Sequence, residues 1–380
     1  MLTEEVIIEK GHELGFEDVG FTSAEPFHEH EKLLLAREDE YGWADQVGLD
    51  LKSGVDPSSI MPDAKTIIVL IEPYFKEAYP PFLEGNFGRC YLDDDRVTKD
   101  GLAKRIKAFR QFLRDAGIES KVPFNLPHRV AAARAGLGTF GKNCLFYSRK
   151  VVRCGSWTLP IAVVIDKVFT PGTPSVETDC PAWCRNACIA ACPTKALKGN
   201  SRIDPRKCIS YMTYFGEEIT PLAYREPMGM YIYGCDRCQN VCPRNQAWLS
   251  KELPMNEKVA AKAKNFELKK LLHMDREYFE SKVWPHMFYM GPETIWKWKM
   301  NVARVMGNSM DHLYLTDLEK AFNENNDDRV KGMISWAMGR IGNKETINIL
   351  KSYKKQSSKT AQDEIDIAIE TLTKKNNGMN

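Results

Sequence analysis

Apolar residues are spaced in three different ways along this chain. The first part mixes helical and extended periods. Residues 4–14 read as a helix, with Thr3 as its cap, Glu4 and Glu5 at its positive end and Gly15 closing it. Val19-Gly20-Phe21 reads as a short strand, and Phe27 to about Arg37 as a second helix. The continuous β-branched run from Thr66 to Ile71 predicts a buried strand, because Pro62 and Pro73 bracket it too closely for a helix. Leu102, Ile106, Phe109 and Leu113 fall on one face of a helix over 101–116, with Asp100 and Gly117 at its ends. Ile161 to Ile165 predicts another buried strand.

Between these elements, Tyr74 to Asp100 is irregular and rich in Tyr, Pro, Gly and Asp. A connection of that length is usually a functional loop or a flexible one. Pro171, Gly172 and Pro174 mark a boundary, and after Pro243 the pattern turns helical and stays so. Residues 299–306 and 330–341 each resemble the second helix of a helical-hairpin repeat, at the roughly thirty to forty residue spacing such repeats use. Two units are too few for a free-standing solenoid, so they are expected to dock on the rest.

Composition narrows this little. The chain has 380 residues, room for two or three domains, and is 43% hydrophobic and 27% charged. A formal net charge of +2 makes no case by itself for a nucleic-acid partner. No apolar run approaches the roughly 18 residues of a membrane helix, so no membrane is expected. Met1-Leu2-Thr3-Glu4-Glu5 is acidic where a secretory signal is basic, and the expected location is a reducing cytoplasm.

The cysteines change the picture. Eight of the 11 lie in residues 180–242: Cys180, Cys184, Cys188 and Cys192-Pro193, then Cys208, Cys235, Cys238 and Cys242-Pro243. The bacterial ferredoxin run is C-x2-C-x2-C-x3-C-P, whose last cysteine serves the other cluster. The second run fits from Cys235 onward, with its first cysteine displaced to Cys208; the first run has x3 where x2 is usual. Crossed ligation assigns Cys180, Cys184, Cys188 and Cys242 to one 4Fe–4S cluster, and Cys192, Cys208, Cys235 and Cys238 to a second. Zinc and disulfides compete. Zinc sites pair C-x2-C elements without Cys-Pro endings, and disulfides need an oxidising compartment. Cys90, Cys144 and Cys154 read as buried apolar side chains.

Ala135-Gly136-Leu137-Gly138-Thr139-Phe140-Gly141-Lys142-Asn143 places three glycines in six residues. That spacing suits either close backbone approach to a ligand or a tight turn at a helix end. It matches neither the Walker nor the Rossmann pattern.

Ala133-Arg134-Ala135-Gly136-Leu137-Gly138, Gly141-Lys142-Asn143, Gly155-Ser156-Trp157, Cys192-Pro193-Thr194-Lys195-Ala196-Leu197, Cys208-Ile209-Ser210-Tyr211 and Tyr233 to Pro243 together resemble the tRNA epoxyqueuosine reductases, relatives of the reductive dehalogenases. The resemblance implies three domains: a nitroreductase-like α/β cobalamin-binding domain over 1–175, a ferredoxin-like two-cluster domain over 176–250, and α-helical HEAT-like repeats over 251–380. It implies two 4Fe–4S clusters that pass electrons to a Co(I)/Co(II) corrinoid, which reduces a substrate. Ala135, Gly136, Leu137, Gly138, Gly141, Lys142 and Asn143 would then lie against the corrin. Electrons would come from a ferredoxin or flavodoxin.

Two positions depart from the family. Its proton-donating Asp falls here at Val122, which cannot deliver a proton. Its Asp-Tyr-His segment is replaced by Tyr91-Leu92-Asp93-Asp94-Asp95-Arg96. Tyr91 and His128 are the candidate substitutes, against the plainer readings of loop packing and a turn residue. The expected function is therefore a corrinoid and iron–sulfur reductase with an altered substrate pocket. The alternatives are a tRNA epoxyqueuosine reductase proper with a relocated acid, and an electron-transfer protein serving a partner corrinoid protein.

Overall fold

A computed structural model describes residues 2–149 and 155–378, so Cys154 lies outside the described residues. The N-terminal part is built on a four-stranded sheet in the order 18–23, 66–73, 158–165, 120–121, with every neighbouring pair antiparallel. All eight residues of Thr66–Pro73 are buried, as its unbroken apolar run requires of a strand covered on both faces. Alternation then sorts its side chains. Ile67, Val69 and Ile71 pack with Ala131, Ala132, Ala133 and Leu137 on one face. Ile68 and Leu70 pack with Ile7, Phe109 and Leu113 on the other. Each such aliphatic side chain contributes about 1.5–3 kcal/mol on burial.

The predicted helices form over Glu4–Glu13, His28–Leu35 and Leu102–Asp115. Gly15 closes the first with φ +82°, but Thr3 makes no side-chain cap bond. The third is capped from further away than its sequence indicates. Asp95 Oδ2 accepts from the Gly101 and Ala103 N–H groups at 2.9 Å each, whereas Asp100 turns to Thr98 and Lys258. Capping from six residues upstream pins the 95–101 loop to the helix.

Part of the irregular stretch belongs to the helical C-terminal region. Tyr79, Leu83, Phe87 and Leu92 join the core of the C-terminal helices, and Phe87 meets Phe266 and Trp298 at ring separations of 5.7 and 6.3 Å. Backbone bonds also tie it to the cysteine region: Ile232 N–H to Asn86 O at 2.7 Å and Gly88 N–H to Tyr233 O at 2.8 Å. Residues 299–306 and 330–341 lie within the helices Ile295–Ser309 and Asp328–Ile341, which pack on each other. The last helix, Lys359–Asn376, packs on the second of these. Its Glu364 takes a buried two-pronged ion pair from Arg225, both contacts 2.6 Å, across to the cysteine region. Among the described residues no helix is long and apolar enough to cross a membrane.

Candidate functional site

A cavity of about 600 Å³ opens where the central strands end, within the range of small-molecule sites. Glu72 and Pro73 close one strand and Thr158 and Leu159 begin its neighbour; all four line it. The loop 89–96, the start of the 102–115 helix and the cysteine region complete the wall. Two polar atoms of residues on this wall are buried and have no hydrogen-bond partner among the described residues: Thr158 Oγ1 and Arg237 Nε. Orphaned groups of that kind fit a site built for a bound molecule.

The wall is charged but internally balanced. Arg105 grips Glu72 at 2.9 and 2.7 Å. Asp236 is buried, and burial lifts its carboxyl to about 6; the Arg89 N–H at 2.6 Å and the Gln239 amide at 3.0 Å limit the rise. Sequence reading missed Asp236 as a cavity residue, although it stands between Cys235 and Cys238 in the motif. Arg129 and Thr158 also face the cavity with no signal in their local sequence.

The eight motif cysteines are free thiols in two sets. Cys180, Cys184, Cys188 and Cys242 border one small pocket near the surface. Cys192, Cys208, Cys235 and Cys238 line the large cavity. Asn143 lines both. The first set already receives donors: Tyr147 Oη to Cys242 Sγ at 3.2 Å, and the Lys142 N–H to Cys180 Sγ at 3.4 Å. Donors to sulfur hold a thiolate in place and tune any metal it binds. Burial pushes the Cys188, Cys208, Cys235 and Cys238 thiols up, so each stays protonated until a cation displaces the proton. The thiols border voids rather than meeting at a point, and among the described residues no three Cys, His, Asp or Glu converge on a single ion position. Four thiolates spread around a void suit a multi-iron cube better than one tetrahedral zinc.

The glycine segment sits differently from the corrin-facing expectation. Of Ala135, Gly136, Leu137, Gly138, Gly141, Lys142 and Asn143, only Asn143 lines the large cavity. Ala135 and Leu137 are in the sheet core. A Cβ on Gly136 would stand 2.5 Å from Thr173 O, and one on Gly138 2.2 Å from Tyr147 O. These two glycines thus admit other parts of the chain itself. Lys142 and Asn143 face the surface pocket.

Tyr91 lines the cavity, its hydroxyl 3.1 Å from that of Tyr214, and burial holds its phenol well above the usual range. His128 does not line it. Its Nδ1 accepts from the Ala162 N–H at 2.9 Å and its Nε2 is 2.8 Å from Pro123 O, so both ring nitrogens serve the backbone. Burial lowers the pKa of this imidazole below its ordinary value. His128 is a structural residue, which corrects its reading as an acid. Val122 packs on the sheet core beside Ser120 and Lys121, which pair with Ile165 and Val164. That is the far end of a strand whose other end meets the cavity, roughly 20 Å away by strand rise. Cys90 lines the cavity, and Cys144 is half-buried with its thiol pushed up to about 11 by burial.

The chain matches known proteins on two levels. Residues 180–245 match the family described as a 4Fe-4S double cluster binding domain. Over 386 residues the chain is 27% identical to the epoxyqueuosine reductase of Bacillus subtilis strain 168, covering 97% of this chain and 96% of that one. It superposes with a TM-score of 0.82 on an epoxyqueuosine reductase solved with an epoxyqueuosine-modified stem loop of tRNA-Tyr, at 25% identity over 97% of this chain and 98% of the other. A structure of the Bacillus subtilis enzyme with its catalytic loop swung out of the active site matches equally well, at 26% identity and TM-score 0.82, again over 97% and 98%.

Proposed function

We propose that this chain is a member of the epoxyqueuosine reductase family, an oxidoreductase working with two 4Fe–4S clusters and a corrinoid. The observation that carries this is the division of the thiols: one set near the surface, the other on the cavity wall, with Asn143 bordering both. Electrons entering at a cluster on the first set would thereby be led toward whatever the cavity holds. We read the sheet domain as nitroreductase-like, residues 1–175, the two-cluster region as 176–250, and the packed helix pairs of 251–380 as HEAT-like.

Cys180, Cys184, Cys188 and Cys242 would hold the outer cluster, and Cys192, Cys208, Cys235 and Cys238 the inner one. The large cavity would hold the corrinoid, with Thr158 and Arg237 among the residues on its wall. A corrinoid bound there supplies a low-valent cobalt centre, a strong nucleophile and reductant. The protein supplies the enclosure and a proton. Tyr91 is the proposed donor, since it carries a hydroxyl and lies on the wall, beside the Tyr214 hydroxyl at 3.1 Å. Tyr91→Phe is expected to slow substrate reduction at least about tenfold while leaving the cluster spectra unchanged. Equal turnover would remove Tyr91 from the role.

The whole proposal is tested by anaerobic reconstitution with iron, sulfide and cobalamin, followed by metal analysis and electron paramagnetic resonance. Zinc in the thiol pockets, or no corrinoid affinity, would overturn it. A corrinoid-free protein that still reduces a partner corrinoid protein would instead support the electron-transfer reading.

A second reading, a tRNA epoxyqueuosine reductase proper, is favoured by the match over 97% of the chain to the relative solved with a tRNA stem loop. Queuosine in tRNA from a reductase-deficient strain expressing this chain decides it. Val122→Asp tests the lost acid in the same strain. Because Val122 lies at the far end of the sheet, a gain of queuosine requires its loop to swing toward the cavity.

A further inference from the structure

We infer that the loop 176–186, with Lys142 and Arg244, is the docking surface for an acidic one-electron carrier protein; this rests on the cluster reading above. Cys180 and Cys184 frame Pro181, Ala182 and Trp183 on this loop, and both thiols border the surface pocket. Trp183 is 70% exposed and Val176 53%, large apolar surface on a loop that already carries two thiols. An exposed tryptophan flanked by arginine is the composition of a binding hot spot.

Charge selects the partner. The rim has two carboxylates, and each is covered. Glu177 pairs with Arg149 at 3.4 Å, and Asp179 has Arg244 at 3.9 Å. Two cations remain in excess. Lys142 Nζ meets only the neutral Asn186 amide oxygen at 3.0 Å, and exposed Arg185 has no partner among the described residues. The patch therefore presents positive charge beside an apolar anchor, on the loop that carries two of the outer thiols. That complements an acidic carrier, and such complementarity speeds encounter. In the transfer itself the reduced carrier gives up one electron and the outer cluster takes one; no bond forms or breaks. A nucleic acid would also meet positive charge here, but Lys142 and Arg244 of the patch border the pocket of the outer thiols, and neither Trp183 nor Arg185 lines the large cavity.

The test uses the reconstituted full-length protein with its iron content verified. Stopped-flow bleaching of the cluster absorbance is followed after mixing with reduced flavodoxin and, separately, with dithionite. Trp183→Ala/Arg185→Glu, and Arg185→Glu alone as a milder variant, are expected to slow the flavodoxin reaction about tenfold or more and weaken its salt dependence. The dithionite rate should not change. An unchanged flavodoxin rate in both variants overturns the proposal. So does a loss of tRNA stem-loop affinity with carrier reduction intact, which would make the patch a nucleic-acid contact. Failure of wild-type protein to bind iron would instead strike the cluster reading underneath.

Discussion

His128 bonds two backbone groups, the Ala162 N–H on the central sheet and the Pro123 carbonyl that begins the 123–127 loop. His128→Ala leaves both without a partner, at about 1–3 kcal/mol for each unsatisfied buried group. The melting temperature should fall, while the pH profile of activity keeps its shape. The same residue gives a pH dependence. Its folded pKa lies below the ordinary 6.5, so the unfolded chain binds the extra proton in the window between the two values. Stability should therefore rise with pH up to about 6.5 and decline as the solution becomes more acidic. Thermal melts of His128→Gln should show a flatter slope over that window. Gly138 carries a different constraint. Gly138→Ala would drive a Cβ to 2.2 Å from Tyr147 O, on the residue whose hydroxyl holds Cys242. Iron content should fall with stability. Gly85→Ala, where the added Cβ meets nothing within 4 Å, is the control and should be neutral or slightly stabilising.

Among the elements, the last helix depends on a charge pair. Arg225 and Glu364 are both buried, and two 2.6 Å contacts join them across 139 positions of sequence. Such a pair contributes modestly when whole, but removing one partner strands the other charge in the interior. Glu364→Ala is expected to cost about 3–5 kcal/mol. Hydrogen exchange should show the Lys359–Asn376 helix loosening before the sheet does. An unperturbed helix would mean that Arg225 finds another partner. The 102–115 helix makes the complementary point. Its apolar face is plain in the sequence, yet its cap comes from Asp95, because tertiary folding of the 95–101 loop brings that carboxylate over the first turn.

For the molecule as a whole, the two thiol sets are expected to fail separately. Cys184→Ser and Cys238→Ser should each lose about half the iron of the reconstituted protein, because each set would hold one cluster. Their consequences should differ. The first cuts the entry from the surface, and the second cuts the contact with the cavity. If either substitution empties both sites, the two pockets are cooperative and the division into outer and inner routes falls. The cavity is likewise a property of the assembled molecule, since strand ends, the 89–96 loop and the cysteine region each supply one wall.

By itself the sequence determined the parts that depend on near neighbours. Uninterrupted apolar runs gave the two buried strands, helical spacing gave the 102–115 helix, and doubled Cys-Pro endings marked the thiol sets. These signals are local because periodicity and short-range covalent spacing control which face a residue shows. The tertiary structure alone decided which groups meet. It sent Tyr79 to Leu92 into the core of the C-terminal helices, turned the glycines toward the chain itself, gave both His128 nitrogens to the backbone and carried Val122 to the far end of a strand. Those outcomes rest on packing and hydrogen-bond satisfaction between distant segments, which no spacing along the chain encodes.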